Sequence, residues 1–481
     1  MSIYQAIQPT VSKLRILTRP WPTLALIVAG DSLALTGANF VSVKIRLLLN
    51  GQFDPIIYWS LWPILGIFIL AYSIAGLYPG VLISPVDELR RTCLTTTLIY
   101  LCLSAAIFLF KEGEAYSRGI FLMAWGFSIF AVLITRLILR RCFERRQWWG
   151  YPVLVLGAGK TGHMVIRMLH RKPGLGLKPV AILDDDPQKQ GNVEGVPVLG
   201  GLAMAPTIAQ EQYIPYAIAA MPGVPREKLL KLLGRYGQTF HHMLIIPDLF
   251  GMASLWIATR DLGGILGLEI RQQLLLPGPR LVKTLIDYGL TVVLGIVLLP
   301  LIVLIALIVK LDDSRGPIFY GQTRIGRNGR YFKAWKFRSM RGNSDQVLLR
   351  YLKDNPDQWE TWVRDHKLKQ DPRVTRIGRF LRRTSLDELP QLWNVLRRQM
   401  SLVGPRPIVD DEVWRYEEKF DLYLQVLPGI TGLWQVSGRS DVSYGERVNL
   451  DAYYVRNWSI WLDLYILMRT VWVVVMGDGA Y

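Results

Sequence analysis

Four apolar stretches within the first 140 residues constrain this chain more than any other feature. Each approaches the ~20 residues that a helix needs to cross about 30 Å of hydrocarbon. Because a segment in hydrocarbon must satisfy its own backbone hydrogen bonds, the expected form of each stretch is a helix. The sequence therefore predicts a four-helix transmembrane domain over residues 1–147, with spans at Pro22–Phe40, Ile56–Tyr78, Cys93–Phe110 and Ile120–Leu139.

Charged residues around these stretches predict the orientation of the bundle. Basic side chains precede the first and third stretches and follow the fourth, at Lys13, Arg15, Arg19, Arg90, Arg91, Arg140, Arg141, Arg145 and Arg146. Since basic loops stay on the cytoplasmic side, both ends of the bundle are expected to face the cytoplasm. Asp31 lies inside the first stretch. An acid there is either functional or held by a structural polar contact, and the sequence leaves both alternatives open.

The composition indicates basic surfaces that face an anionic partner. The net charge is +18 although 51% of the residues are hydrophobic. Lipid headgroups, phosphates and nucleic acid all fit that charge. No aromatic side chains alternate with the arginines as a base-stacking strip would require, so no nucleic-acid partner is expected. The three cysteines have no paired spacing, so neither a disulfide framework nor a zinc site is indicated.

Residues 148–270 have the pattern of an α/β domain. Short apolar runs alternate with helical segments, which predicts a parallel sheet of the Rossmann type. In YPVLVLGAGKTG a strand leads into Gly157, Gly159 and Gly162, the spacing of a dinucleotide-binding turn. The first candidate acid for a ribose, Asp184, comes later than the usual spacing of about 20 residues. These glycines therefore mark either a nucleotide loop with a regulatory role or a vestigial turn.

A fifth apolar run, Gly289–Val309, opens the C-terminal part of the chain. Four earlier crossings leave residue 280 in the cytoplasm, so a full crossing here would export everything that follows. Pro300 stands in the middle of the run, where a proline removes a helix hydrogen bond and bends the helix. We therefore expect a re-entrant membrane helix over residues 281–311 that turns at Pro300 and returns. A kinked ordinary span is the alternative.

Residues 271–481 contain the residues that carry chemistry. Asp387 and Glu388 are adjacent acids in a basic segment, with Arg382 before them and Arg406 after them in a Gly-Pro-Arg-Pro corner. An ionised carboxylate can attack phosphorus, and arginine binds phosphate bidentately. A divalent cation held by the two acids would neutralise a pyrophosphate. The same acids also fit a capping box with Ser385, in which they would only stabilise the start of a helix.

Four motifs in this region resemble a known family. WKFRSM, SLDELPQLWNVL, MSLVGPRP and PGITGLWQVSGRSD are similar to the bacterial sugar transferases, the monotopic phosphoglycosyl transferases, and the likeness runs from about Lys283 to Tyr481. With four spans and a Rossmann-like domain in front, the chain resembles the long form of that family. The segments SGRSDVSYGERV and WVVVMGDGAY are most similar to members that transfer galactose phosphate.

The resemblance implies a mostly α-helical catalytic domain and a specific reaction. Hexose 1-phosphate, here galactose 1-phosphate, would pass from UDP-hexose to undecaprenyl phosphate with release of UMP and Mg²⁺ as cofactor. Asp387 would be the nucleophile of a phosphosugar-aspartyl intermediate, and Glu388 would help it to hold the metal. The substrate-binding residues that the resemblance implies are Lys336, Arg338, Arg382, Arg406 and Lys283.

The resemblance also places the protein in a biological context. It implies the first membrane step of O-antigen, capsule or exopolysaccharide synthesis at the bacterial inner membrane, with the catalytic domain on the cytoplasmic side. We also expect a homodimer. UDP-glucose is the alternative donor. A membrane-bound nucleotide-sugar dehydratase is a rival, but it needs a tyrosine followed four residues later by lysine, and the sequence contains no such pair.

Two further segments keep open interpretations. Trp434, Gln435 and Arg439 either contact the uracil or the sugar or belong to a turn-rich core. Trp458–Met476 is apolar but contains two charged residues. This pattern indicates an amphipathic helix that lies on the cytoplasmic leaflet.

Overall fold

The computed structural model describes residues 20–49, 54–60, 62–110, 116–225, 227, 232, 234, 236, 239–247, 257–261, 266–270, 274, 276–313, 316–342, 344–355, 359, 371–438 and 443–476. Contacts divide the chain into two compact units, Met1–Gly251 and Met252–Tyr481. The first unit holds apolar helices and a parallel-rich sheet, and the second holds the predicted catalytic residues. The domain boundaries given above remain predictions.

Apolar helices open the first unit: α1 Pro20–Leu48, α2 Pro55–Ser60, α3 Ile64–Ile74, α4 Pro85–Leu109 and α5 Arg118–Phe143. Helices α1, α4 and α5 are long and apolar enough to cross a membrane. The predicted second span differs, because Pro63 stands immediately before α3. Proline lacks the N–H that a continuing helix needs and restricts the residue before it. Two short helices therefore replace the single span predicted over Ile56–Tyr78.

Buried charges connect the helices of this bundle. Arg136 of α5 donates to both carboxylate oxygens of Asp31, at 3.0 and 2.6 Å, and to Glu88 at 3.2 Å. The Tyr78 hydroxyl donates to the same Asp31 carboxylate at 2.8 Å. Asp31 is fully buried, and both of its oxygens accept hydrogen bonds from the bundle. Of the two alternatives for Asp31, the contacts support the structural one.

A six-stranded sheet follows in the order β3-β4-β2-β1-β5-β6, with strands β1 Tyr151–Leu156, β2 Leu177–Leu183, β3 Gly191–Val193, β4 Val196–Gly200, β5 Tyr216–Ala219 and β6 His242–Ile245. Neighbouring strands are parallel except for β3 and β4. Alternate residues of β1 enter two apolar cores, Val153 and Val155 in one and Leu154 and Leu156 in the other. Helix α6 (Lys160–Arg171) contributes to the first core and α7 (Ala205–Gln212) to the second. The predicted parallel sheet is confirmed.

The glycine turn lies between β1 and α6. Gly157 has a φ of +108°, and a side chain on Gly162 would come within 2.1 Å of the Gly157 carbonyl oxygen, so both positions need glycine. Gly159 is the N-cap residue of α6. Asp184, which follows β2, accepts a hydrogen bond from the Ala158 backbone N–H at 2.8 Å. The acid is thus used by the turn itself, and nucleotide binding at this loop stays a prediction.

The second unit is mostly helical, with small sheets. Its helices are α8 Pro277–Asp312, α9 Ser344–Asp354, α10 Arg376–Arg383, α11 Gln391–Leu396, α12 Phe420–Leu424, α13 Leu433–Val436, α14 Tyr444–Asn457 and α15 Ile460–Met476. Its paired strands are β7 Ile257–Asp261 with β8 Leu266–Ile270, β9 Phe319–Ile325 with β10 Tyr331–Phe337, and β11 Ser401–Val403 with β12 Gly429–Thr431.

Helix α8 carries the predicted re-entrant segment. Pro300 lies inside this helix and does not end it. Both ends of α8 pack into the unit through buried residues, namely Lys283, Asp287, Thr291, Ile305 and Val309. Between them apolar side chains face outward, and Ile296 and Val297 are 69% and 68% exposed. The predicted break at Pro300 is therefore not an interruption of the helix, and the re-entrant course stays a prediction.

We expect Arg136→Met to destabilise the first unit by about 3–5 kcal/mol, because Asp31 and Glu88 would lose their buried counter-charge. Thermal unfolding of the lipid-reconstituted protein measures the effect. The triple variant Asp31→Asn, Glu88→Gln, Arg136→Met removes all three charges and should recover most of the stability. A triple variant as unstable as the single one would assign the loss to packing instead of charge.

Candidate active site

A hydrogen-bonded asparagine fixes the position of the acid pair relative to strand β10. Asn394 of α11 is fully buried. Its side chain accepts from the Trp335 backbone N–H at 3.1 Å and donates to the Lys333 carbonyl at 2.8 Å. The helix that follows the acids is thereby fastened to the strand that carries Lys336.

The acids themselves lie on a single 3₁₀ turn, Leu386–Glu388, between α10 and α11. Ser385, the residue before the turn, has a φ of +56°, a conformation that costs energy in a residue with a side chain. Leu386 and Leu389 pack against an apolar cluster that includes Phe337 of β10. Packing on either side of the acids therefore maintains a strained turn that aims them at β10.

The capping-box interpretation is wrong. The Ser385 side chain makes no capping hydrogen bond. The Glu388 carboxylate instead accepts a hydrogen bond from Lys336 Nζ at 2.6 Å, and the same Nζ lies 3.9 Å from Asp387 Oδ2. Lys336, predicted as a substrate-binding residue, thus touches both acids.

Arg382 also stands close to Asp387. It lies in the last turn of α10, whose start is capped by Thr375. Its Nε donates to the Ser339 hydroxyl at 2.8 Å, which orients the guanidinium. The positive charges of Lys336 and Arg382 both favour the ionised form of Asp387.

Burial nevertheless dominates the titration of Asp387. The residue is 7% exposed, and this desolvation raises the pKa of its carboxyl to about 6, with Lys336 and Arg382 lowering it and Glu388 raising it further. The cations near Asp387 favour its ionised form, but the effect of burial on its pKa is larger. The group stays mostly ionised at neutral pH, but as a poorly hydrated and more basic carboxylate.

Two of the predicted substrate-binding residues contact other residues at the two ends of α8, and their substrate role stays a prediction. Lys283 Nζ donates to Asp463 at 2.8 Å and lies 3.5 Å from Asp287, and all three side chains are buried. Arg338 donates to the Asp313 backbone carbonyl beyond the end of α8 and is itself buried. Neither residue presents its charge on an open surface, and Arg338 Nη1 is buried without a hydrogen-bond partner.

The Arg406 corner forms a second basic cluster. The Arg406 guanidinium lies 5.3 Å from the Trp434 ring centroid, and Arg447 of α14 lies 5.0 Å from the same centroid. Arg447 Nε and Nη2 and Trp434 Nε1 are buried without a hydrogen-bond partner. Arg324 lies near this cluster. Burial lowers the pKa of its guanidinium most, and the positive charges of Arg406 and Arg447 lower that pKa further. The cluster is rich in N–H donors, which suits an anionic or carbonyl-bearing ligand.

The sequence predicted only part of this cluster. Arg447 and Arg324 stand in segments without a phosphate-binding pattern, so nothing in the sequence marks them, and folding alone brings them to Arg406. Trp434 does contact the basic cluster, as one of its two interpretations allows. Gln435 is partly buried, with its Oε1 left without a partner. Arg439 lies outside the described residues.

The acid pair offers a limited set of metal ligands. Across the described part of the chain there is no group of three or more His, Cys, Asp or Glu side chains arranged to hold a metal. Asp387 and Glu388 supply two carboxylates, and Mg²⁺ commonly uses one or two carboxylates together with substrate phosphates and water. The donor set therefore fits Mg²⁺ that arrives with a phosphate substrate.

Two known families match separate parts of the chain. Residues 278–477 match the family described as bacterial sugar transferase, and residues 73–247 match the family described as CoA-binding domain. The chain is 38% identical over 402 residues to the UDP-galactose-lipid carrier transferase of Erwinia amylovora, with 82% of each chain covered. The chain belongs to the bacterial sugar transferase family. It is a sugar transferase of the long form.

Two other relatives extend the comparison in different directions. The UDP-glucose:undecaprenyl-phosphate glucose-1-phosphate transferase of Escherichia coli (strain K12) is 33% identical, with 72% of this chain and 73% of the relative covered. The exopolysaccharide production protein ExoY of Sinorhizobium fredii is 49% identical over 199 residues, which are 41% of this chain and 88% of the relative. A relative consisting almost wholly of the matching part indicates that this part is a unit of its own.

We expect Lys336→Met to move the acid limb of the pH–activity profile of this sugar transferase to higher pH. Lys336 lowers the pKa of Asp387, so its removal raises that pKa and leaves less of the carboxylate ionised at a given pH. In the unaltered protein the limb should lie near the Asp387 pKa of about 6. Lys333→Met, an exposed position on the same strand, is the matched control. An unmoved acid limb in Lys336→Met would contradict the assignment.

Proposed function

We propose that this protein transfers hexose 1-phosphate from UDP-hexose to undecaprenyl phosphate and releases UMP. The observation that carries the proposal is the buried Asp387 with Lys336 and Arg382 around it, in the part of the chain that matches the sugar transferases. A carboxylate surrounded by cations is suited to a substrate that is itself a phosphate. The two relatives named for lipid-carrier and undecaprenyl-phosphate chemistry support the acceptor.

The donor in this proposal is UDP-galactose. The support is the Erwinia relative, whose name contains UDP-galactose and whose identity of 38% exceeds the 33% of the glucose-named relative. The product would then enter O-antigen, capsule or exopolysaccharide synthesis as its first lipid-linked sugar.

Asp387 is the nucleophile of the first step. One carboxylate oxygen attacks the phosphorus that bears the sugar, a P–O bond to this phosphorus forms, and the bond to the bridging oxygen breaks. UMP departs with the bridging oxygen and its electron pair, and the hexose phosphate stays on Asp387 as an acyl phosphate. The raised pKa of Asp387 supports this role, because a more basic carboxylate is a better nucleophile while it remains ionised at neutral pH.

The second step regenerates the carboxylate. An oxygen of the lipid phosphate attacks the same phosphorus, the bond to Asp387 breaks, and the lipid diphosphate-hexose leaves. A phosphate monoester is already anionic at neutral pH, so this step needs no base. Covalent transfer through Asp387 is therefore a better use of the carboxylate than proton abstraction.

Cationic side chains bind the phosphates in both steps. Arg382 is near Asp387, where its charge lowers the pKa of that carboxyl. Arg406 and Arg447 form the donor-rich cluster around Trp434. Asp387 and Glu388 would hold Mg²⁺, which when bound neutralises the pyrophosphate and the leaving phosphate. Lys336 orients Glu388 and offsets the charge of the acid pair when no metal is bound.

The catalytic unit lies against the inner membrane from the cytoplasmic side. Helix α8 returns both of its ends to the same unit while its centre exposes apolar side chains, which supports a helix that dips into the bilayer and comes back. Helix α15 supports an interfacial position, since exposed apolar residues repeat along one face at Ile460, Leu464, Met468 and Val471. The two charged residues of this segment make contacts within the protein. Asp463 accepts a hydrogen bond from Lys283, and Arg469 donates one to the Val436 carbonyl.

We expect the wild-type protein, given UDP-galactose without lipid, to release about one UMP per active site and to gain the mass of a hexose phosphate. Asp387→Asn should abolish both signals, because an amide is a poor nucleophile of similar shape. Glu388→Gln should slow both and still bind UDP-galactose. Asp421→Asn, an exposed acid in the same unit, is the control. Full labelling of Asp387→Asn would place the nucleophile elsewhere, and an active wild type without labelling would indicate direct displacement.

We expect a cysteine placed at Asn328 to be accessible only from the cytoplasm. Asn328 lies in the exposed turn between β9 and β10. Impermeant thiol reagent should label it only after the membrane is opened, in a background in which Cys93, Cys102 and Cys142 are replaced. Pro300→Leu should straighten α8, export part of the population and lower activity. Labelling of Asn328→Cys in intact cells with Pro300 in place would contradict the re-entrant course.

A further inference from the structure

A cavity of about 200 Å³ lies directly beside the acid pair. Its wall is largely aliphatic, formed by Leu386, Leu389 and Leu392 around the acid turn, Ile430 of β12, and Val473 and Val474 of α15. Glu388 also lines it, and the Glu388 carboxylate accepts its hydrogen bond from Lys336. Glu388 therefore separates an apolar compartment from the charged one in which Asp387 reacts.

The threonine hydroxyls in the cavity wall already have partners within the protein, and Ser385 is the other hydroxyl residue of the lining. Thr431 and Thr470 are hydrogen-bonded to each other at 2.7 Å. The Thr384 hydroxyl donates back to the carbonyls of its own helix. The lining thus offers few free polar groups to a nucleotide or a sugar. One exception is Gln435 Oε1, which is buried without a partner.

The dimensions favour part of a larger ligand. Pockets that enclose a whole drug-sized molecule measure about 300–1,000 Å³, and this cavity is smaller. It suits a short branched hydrocarbon segment whose remainder lies elsewhere. The wall belongs partly to α15, and the apolar residues on the outer face of that helix provide a surface on which such a remainder can continue.

We propose that this cavity seats the phosphate-proximal isoprene units of the polyprenyl phosphate acceptor, with the phosphate next to Glu388. The proposal rests on the proposed function, which supplies an acceptor with hydrocarbon directly attached to the reacting phosphate. Burial of the apolar isoprene atoms in the cavity would contribute to acceptor binding. It would also place the phosphate against the compartment that holds the charged intermediate.

The test separates the two half-reactions. Val474→Phe places a larger side chain in the cavity from α15, and Leu392→Phe does so from α11. Leu349→Phe is the control, since Leu349 lies in α9 of the same unit, away from the cavity lining, and is 62% exposed. Each protein is charged with UDP-galactose, and UMP release and covalent mass are recorded. Undecaprenyl phosphate is then added, and loss of the hexose phosphate from the protein is followed.

Filling the cavity should leave UMP release and labelling at the wild-type level in both variants. Discharge by undecaprenyl phosphate should require at least about tenfold more acceptor, which corresponds to about 1.4 kcal/mol, while Leu349→Phe discharges normally. Normal discharge in Val474→Phe and Leu392→Phe would overturn the cavity proposal alone.

Two other results also overturn the proposal, for different reasons. Loss of charging in both cavity variants, with the control fully charged, would assign the cavity to the hexose, for which Gln435 Oε1 is the natural acceptor. Absence of charging in the wild type would refute the proposed covalent function, and the acceptor cavity with it.

Discussion

The contact between Lys336 and the acid pair is the interaction on which the rest of the catalytic unit depends. A carboxylate as buried as Asp387 is costly to ionise, and a lysine within 3.9 Å offsets part of that cost. The contact requires the acid turn to be held at a fixed position along strand β10. The Asn394 side chain provides this through two hydrogen bonds to the backbone of the strand. The contact also requires Ser385 to stay in an unfavourable backbone conformation. Burial of the carboxylate and the Ser385 conformation both lower the stability of the fold, and the result is an aspartate that is more basic than usual, poorly hydrated and still ionised near neutral pH.

The abundant positive charge of the second unit is divided between two tasks. Lys283 is paired with acids at one end of α8, whereas Arg338 donates to Asp313 at the other end and has its Nη1 buried without a hydrogen-bond partner. Arg406 and Arg447 both lie against the Trp434 ring, and Arg447 has two buried nitrogens without a hydrogen-bond partner. A positive side chain that is fully paired stabilises the fold, whereas one with buried, unused N–H groups is prepared for a ligand. This distinction depends on partners, not on residue type.

Apolar side chains of the second unit are of two kinds, those on its outer surface and those that line the cavity beside Glu388. The centre of α8 and the outer face of α15 expose hydrophobic side chains that water alone would disfavour, as a protein lying on a bilayer requires. The inner face of α15 lines the cavity beside Glu388. The same helix thus connects an outer apolar surface with the charged site, which is the geometry that transfer between a water-soluble nucleotide sugar and a membrane lipid demands.

The sequence by itself determined three of the four predicted N-terminal spans, the parallel sheet, the family and the acid pair, because periodicity, glycine spacing and contiguous motifs are local properties of the chain. Only the tertiary structure decided what individual charges do. Asp31 is a structural ion-pair partner because Arg136, distant in sequence, meets it in the bundle. Arg447 joins Arg406 although nothing around it marks a phosphate site, and Lys283 meets Asp463, which is distant in sequence, inside the protein. The pKa of Asp387 likewise depends mainly on burial. Neighbouring charges can be counted in the sequence, but desolvation depends on all the atoms packed around the carboxyl, which only the fold defines.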